Sequence, residues 1–224
     1  MDNRLGSLLP SLMTHHSSLV LASSSPRRRR LLPLLGFSVE IRRVCVEERP
    51  LNAEAPLETA LRLAEVKARA AGPPRPGEVI VGADTVVVLD DRSLGKPGDA
   101  AEASRMLKEL RGRPHRVISG VALIAGTGEY RAAIRTLVRM RRYSARELER
   151  YVESGRPLDK AGAYAIQDRD FNPVQCIEGC YLNVVGLPLC EVIRGLGSLG
   201  WPLAAERYTP PCRWCEAGRT VLDR

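Results

Sequence analysis

Residues 78–97, EVIVGADTVVVLDDRSLGKP, decide how this chain is read. Val79, Ile80 and Val81 form a short β-branched run and Val86 to Leu89 a second, both with the composition of buried strand. Gly82-Ala83-Asp84-Thr85 lies between them. A carboxylate between two apolar runs needs a cation, a metal or hydrogen-bond donors around it, because leaving water without them is costly. Asp84 is therefore a site candidate, with a turn aspartate capping nearby backbone N–H groups as the plainer alternative.

Upstream, Leu19-Val20-Leu21-Ala22 predicts a short buried strand that runs directly into Ser23-Ser24-Ser25-Pro26 and the arginines Arg27 to Arg30. Ser25 suits an N-cap and Pro26 the first helical position, so a helix opens straight off a strand end. Serine hydroxyls, guanidinium groups and helix N-terminal amides together make a phosphate cradle, with a solvated arginine face as the bland alternative. Four successive arginines cannot share one face, so one or two should line a site. Pro33 removes a backbone donor and predicts a short or bent helix. Residues 37–46, FSVEIRRVCV, read as a strand, and Glu47-Glu48-Arg49-Pro50 after it as surface loop or metal ligands. From Pro56 an amphipathic helix is expected, with Leu57, Leu61, Ala64, Ala68 and Ala71 on its apolar stripe and Lys67 on its polar face.

Downstream, Asp99-Ala100-Ala101-Glu102 and Ser144-Ala145-Arg146-Glu147 are capping-box patterns that start two helices. Residues 116–125 and 130–140 read as strands joined by Gly126-Thr127-Gly128, a hairpin signal. Residues 157–189 are too rich in glycine and polar groups for ordinary core; Asp159, Lys160, Gln167 and Asn183 among them suggest a binding surface. A short helix over residues 191–199 closes the pattern.

The 224 residues, 44% apolar, are enough for one domain or two small lobes. No apolar run approaches the roughly 20 residues of a membrane span. Residues 1–18 have no signal-peptide pattern and read as a tail, 19–199 as the domain and 200–224 as an extension, which together point to a cytoplasmic protein with no membrane partner. A net charge of +8 suits anionic partners, either free phosphates or a nucleic-acid backbone. Aromatic content of only 4% leaves few stacking platforms, which argues against nucleic acid. Cys45, Cys176, Cys180 and Cys190 read as isolated thiols, and the C-x-x-C of Cys212 and Cys215 lacks the second pair a zinc site needs.

The pieces LVLASSSPRRRRLL, the glutamates of VEERP, LAEVKARA, VIVGADTVVVLDD with LGKP, YVESGRPLDKAGAYAIQ and IEGCYLNVVGLPL stand in family order from Leu19 to about Leu199. In this the chain resembles the Maf family of nucleoside triphosphate pyrophosphatases. The resemblance implies an α/β fold with an elongated mixed β-sheet flanked by helices and two lobes around a central cleft, like the inosine triphosphate pyrophosphatases. It also implies hydrolysis of a nucleoside triphosphate to monophosphate and pyrophosphate with a divalent metal cation, Mg or Mn, by a homodimer. Asp84 falls on the family's proton acceptor, and Arg27, Thr85 and Gln167 fall on the positions that separate its substrate classes, here looking like the dTTP/UTP branch. Phosphate binding is expected from Ser24, Ser25, Arg27, Lys67 and Lys96, and metal binding from Glu48 and Asp84. Thr85 and Gln167 would read the pyrimidine edge. Ala165 and Asp168 stand where the family usually has glycine, and Asp170-Phe171-Asn172-Pro173 fills a loop that is commonly glycine-rich.

Overall fold

A computed structural model describes residues 18–201 and, for its backbone, a further strand at 219–221; Cys212 and Cys215 and the N-terminal tail lie outside the described residues. The strands are β1 (Ser18–Ala22), β2 (Ser38–Arg42), β3 (Glu78–Leu89), β4 (Arg92–Leu94), β5 (Pro114–Ala125), β6 (Gly128–Met140), β7 (Val174–Glu178) and β8 (Arg219–Val221). They form one mixed sheet in the order β2-β1-β3-β5-β6-β7-β8, with β4 also on β3. β1 is parallel to both β2 and β3, and the remaining pairings are antiparallel. The helices are α1 (Pro26–Leu31), α2 (Pro56–Ala70), α3 (Ala100–Leu110), α4 (Ala145–Glu153), α5 (Tyr181–Val185) and α6 (Leu189–Ser198). Among the described residues no helix is long and apolar enough to cross a membrane.

The two apolar runs around Asp84 are one continuous twelve-residue strand, not two strands joined by a turn. The turn-aspartate alternative for Asp84 therefore does not apply, and the missing Cβ of Gly82 serves helix packing. A methyl group there would sit 2.2 Å from the Ala64 carbonyl oxygen of α2, and one on Gly120, the cross-strand partner of Asp84, 2.1 Å from that of Ala60. The two glycines let α2 lie directly on the sheet. Alternation along β3 then divides the work. Ile80, Val86 and Val88 pack on the α2 side with Ala60, Ala64 and Ala68, whereas Val79, Val81, Ala83, Val87 and Leu89 face the larger core. Asp84 shares the α2 side, and Thr85 points the other way.

Close packing also rotates α2 from the expected stripe. Thr59, Ala60, Leu63, Ala64, Lys67 and Ala68 are its buried residues, while Leu57 and Leu61 are only partly covered. Lys67 therefore faces the sheet instead of water.

Local start and stop signals hold elsewhere. Ser25 caps α1, which ends after six residues and passes into a 3₁₀ turn containing Pro33. The Ser144 capping box is complete. At α3 only half the box forms: Asp99 accepts from the Glu102 amide, but the Glu102 carboxylate turns to the Gly98 amide. The strand expected over 37–46 is confined to β2, and residues 157–189 carry two 3₁₀ turns, β7 and α5 of their own.

A gap along one edge of the sheet positions the cleft. On one edge β3 is covered by β1 as far as Val81 and by β4 from Val87 onward. The five residues between, including Asp84, have no strand on that edge among the described residues. The chain leaving β1 turns into α1 beside this gap, much as ligand crevices open beyond strand ends in other α/β sheets.

Candidate active site

A cleft of about 570 Å³ opens at the gap. Its lining includes Ser24, Ser25, Arg27, Glu48, Lys67, Asp84, Thr85, Lys96 and Gln167, as well as Asp159 and Lys160, but not Asn183. Widely separated segments supply them, so the site is assembled by the tertiary fold.

At its floor Asp84, 8% exposed, accepts a hydrogen bond at Oδ1 from Lys67 Nζ, 2.6 Å away. The same ammonium lies 2.6 Å from Glu48 Oε1, and Glu48 Oε2 accepts from Lys96 Nζ at 3.1 Å. Two carboxylates thus converge on one cation. Burial alone would raise the Glu48 carboxyl, but hydrogen bonds and charge from Lys67 and Lys96 outweigh it and bring it down to about 2. Among the described residues no group of three or more His, Cys, Asp or Glu side chains is placed to hold a metal ion. The oxygen donors of Glu48 and Asp84 nonetheless suit a hard divalent cation that completes its shell with substrate phosphates and water.

The second wall is α1 and the loop before it. Ser25 Oγ accepts from the Arg28 amide at 3.5 Å and Ser23 Oγ from the Ser25 amide at 3.1 Å, which fixes the turn. With six residues α1 carries a modest dipole, so the positive character of this wall rests mainly on side chains. Arg27 reaches across the cleft to Asp159 Oδ2 at 3.5 Å, and Asp159 in turn pairs with Lys160. Gln167 lies on the same far side and is exposed. Asn183, which the sequence also suggested, is fully buried and structural: its amide donates to Val117 O and Thr136 Oγ1.

Arg28 was the residue sequence reasoning missed. Of the four arginines it is the buried one, donating from Nε to Gly186 O at 2.8 Å and from Nη2 to Thr85 Oγ1 at 3.0 Å. Burial lowers its pKa, partly offset by the negative field of Asp84. No carboxylate pairs with it directly among the described residues. A desolvated guanidinium held by neutral acceptors calls for an anion in the cleft. The signal was present in its position three residues after the Ser25 cap, but four identical side chains in a row gave no way to choose.

The departures from the family pattern also have a physical place. Asp168 Oδ1 accepts from the Phe171 amide at 3.0 Å, and Phe171 stacks on Tyr151 with ring centroids 4.1 Å apart. An aromatic anchor thus holds the loop that would otherwise depend on glycine.

The model of the family described as Maf-like protein matches residues 18–199. A protein of Dehalococcoides mccartyi named dTTP/UTP pyrophosphatase is 43% identical over 211 residues, covering 92% of this chain and 94% of its own. One of the same name from Geobacter sp. is 47% identical over 190 residues, 83% of this chain and 98% of its own. A solved structure titled as a HAM1 protein from Coxiella burnetii overlaps 56% of this chain and 74% of its own at 18% identity with a TM-score of 0.40, too partial an overlap to bear on function. With a family match spanning every strand but β8, all six described helices and the whole cleft, this chain belongs to the Maf-like protein family.

Proposed function

We propose that this chain hydrolyses the bond between the α and β phosphates of dTTP and UTP, releasing the monophosphate and pyrophosphate, with Asp84 as the general base. Family membership and the shared name of its relatives make it an enzyme of the nucleoside triphosphate pyrophosphatase class; the base preference, the role of Asp84 and the metal are the proposed part. The observation that carries the reading is the buried Asp84–Lys67–Glu48 arrangement at the floor of a cleft whose other charges are mostly cationic.

A triphosphate in this cleft is neutralised by Arg27, Arg28, Lys96 and Lys160 on its walls. Lys67 holds one oxygen of the Asp84 carboxylate, which fixes its orientation while the group takes the proton of the attacking water. Glu48 and Asp84 are the residues that would hold magnesium or manganese against the phosphates, and such an ion supplies charge neutralisation at the leaving pyrophosphate. Gln167, at the far end, offers one donor and one acceptor in a single amide, the pattern that matches a thymine or uracil edge. The cations converge on a concave space sized for a nucleotide, which favours this reading over a basic surface for nucleic acid. A homodimer belongs to the same proposal and is open to light scattering.

The test is pyrophosphate release from dTTP, UTP, CTP and GTP with magnesium or manganese. Fastest turnover of dTTP and UTP supports the proposal. Release of inorganic phosphate in place of pyrophosphate, or a preference for GTP, overturns it.

A further inference from the structure

Thr85 is expected to touch the base, yet its hydroxyl is already committed. Its oxygen accepts from Arg28 Nη2 at 3.0 Å and lies 2.8 Å from Ser119 Oγ. Ser119, fully buried in β5, contacts the Asn183 carbonyl oxygen at 3.1 Å. A carbonyl can only accept, so the one proton of Ser119 goes to Asn183. Ser119 must then accept from Thr85, and the one proton of Thr85 points into the protein. The other acceptor near Thr85, Gly186 O, is 3.5 Å away and already receives Arg28 Nε at 2.8 Å. Thr85 thus has no donor left for a pyrimidine carbonyl.

We propose that Thr85 and Ser119 are positioning residues that act on substrate through Arg28: the relay Asn183 carbonyl–Ser119–Thr85 presents a bare oxygen to the guanidinium and sets its plane. With Nε and Nη2 fixed on Gly186 O and Thr85 Oγ1, Nη1 is the nitrogen left for an occupant of the cleft that Arg28 lines. That occupant is the triphosphate end of the nucleotide, because Arg28 lines the same cleft as Asp84 and Glu48 and stands on α1 beside the serine turn. The inference rests on the pyrophosphatase reading for the identity of the anion, and it assigns Thr85 a part in phosphate holding that is independent of the base.

A base-free probe separates the two roles. Binding of inorganic tripolyphosphate is measured by calorimetry for the wild type, Thr85→Val, Thr85→Ser and Ser119→Ala, alongside kcat/KM for dTTP, UTP, CTP and GTP. Circular dichroism and melting confirm that each variant is folded. Losing the fixed acceptor should weaken tripolyphosphate about tenfold or more in Thr85→Val and in Ser119→Ala. Thr85→Ser, which keeps the hydroxyl, should stay close to wild type, and the ranking of the four nucleotides should not change. The inference is overturned if Thr85→Val binds tripolyphosphate like wild type while base ranking collapses, if Ser119→Ala alters neither, or if the wild type does not bind tripolyphosphate at all. A wild type that binds tripolyphosphate but releases no pyrophosphate from any nucleotide would sink the functional proposal and leave this one standing.

Discussion

Gly120→Ala tests how tightly the site depends on helix-to-sheet distance. The new Cβ would meet Ala60 O at 2.1 Å, Ala60 C at 2.5 Å and Leu61 N at 2.8 Å, all of them backbone atoms of α2. No rotamer can relieve this. To reach ordinary carbon–oxygen contact, α2 and β5 must separate by roughly 1 Å, an overpacking that costs about 1–3 kcal/mol or more. The same helix carries Lys67 to Asp84, where the bond is 2.6 Å long and has no slack to give up. Urea unfolding should therefore show a loss in that range, and pyrophosphate release should fall further than stability does, since a small misplacement of a catalytic group is itself costly. Gly126→Ala is the control, in a hairpin turn with nothing within 4 Å of its added methyl group. Unfolding free energy and turnover of Gly120→Ala both equal to those of Gly126→Ala would refute the packing argument.

Arg28→Lys keeps the charge but not the fork that spans Gly186 O and Thr85 Oγ1, so kcat/KM for dTTP should drop about tenfold or more in steady-state assays. Glu48→Gln should raise the magnesium concentration for half-maximal activity by at least about tenfold, and an unchanged requirement would remove Glu48 from metal binding. His115 is buried beside Tyr164, 2.7 Å from its hydroxyl, and burial lowers its pKa to about 3 from 6.5. Its folded form therefore refuses a proton that the unfolded chain accepts, so stability falls as pH drops from 6.5 towards 3. Between pH 6 and pH 5 the wild type should lose about 1 kcal/mol that His115→Phe does not, as read from urea unfolding at each pH.

What could be read in the sequence was what local physics decides. Ser25-Pro26 starts α1, Ser144 with Glu147 starts α4, and Gly126-Thr127 turns β5 into β6, because each depends on residues within a few positions of one another. The misreadings share a non-local cause. The stretch around Asp84 left a turn open because the helix that needs the missing side chain of Gly82 begins more than twenty residues earlier. Lys67 looked solvated because periodicity gives a helix its faces without saying which one a pair of sheet glycines will draw in. Residue types at Asp84, Glu48, Lys96 and Gln167 pointed to the cleft through family resemblance; their convergence depends on the uncovered edge of β3, which only the strand order reveals.

Asp84→Asn is the most direct test of the central claim, since it keeps the shape of the side chain and removes its capacity to take a proton. A folded variant with wild-type melting behaviour should still bind dTTP while pyrophosphate release falls by about 10²–10⁴-fold. Turnover close to wild type in that variant would contradict Asp84 as the base.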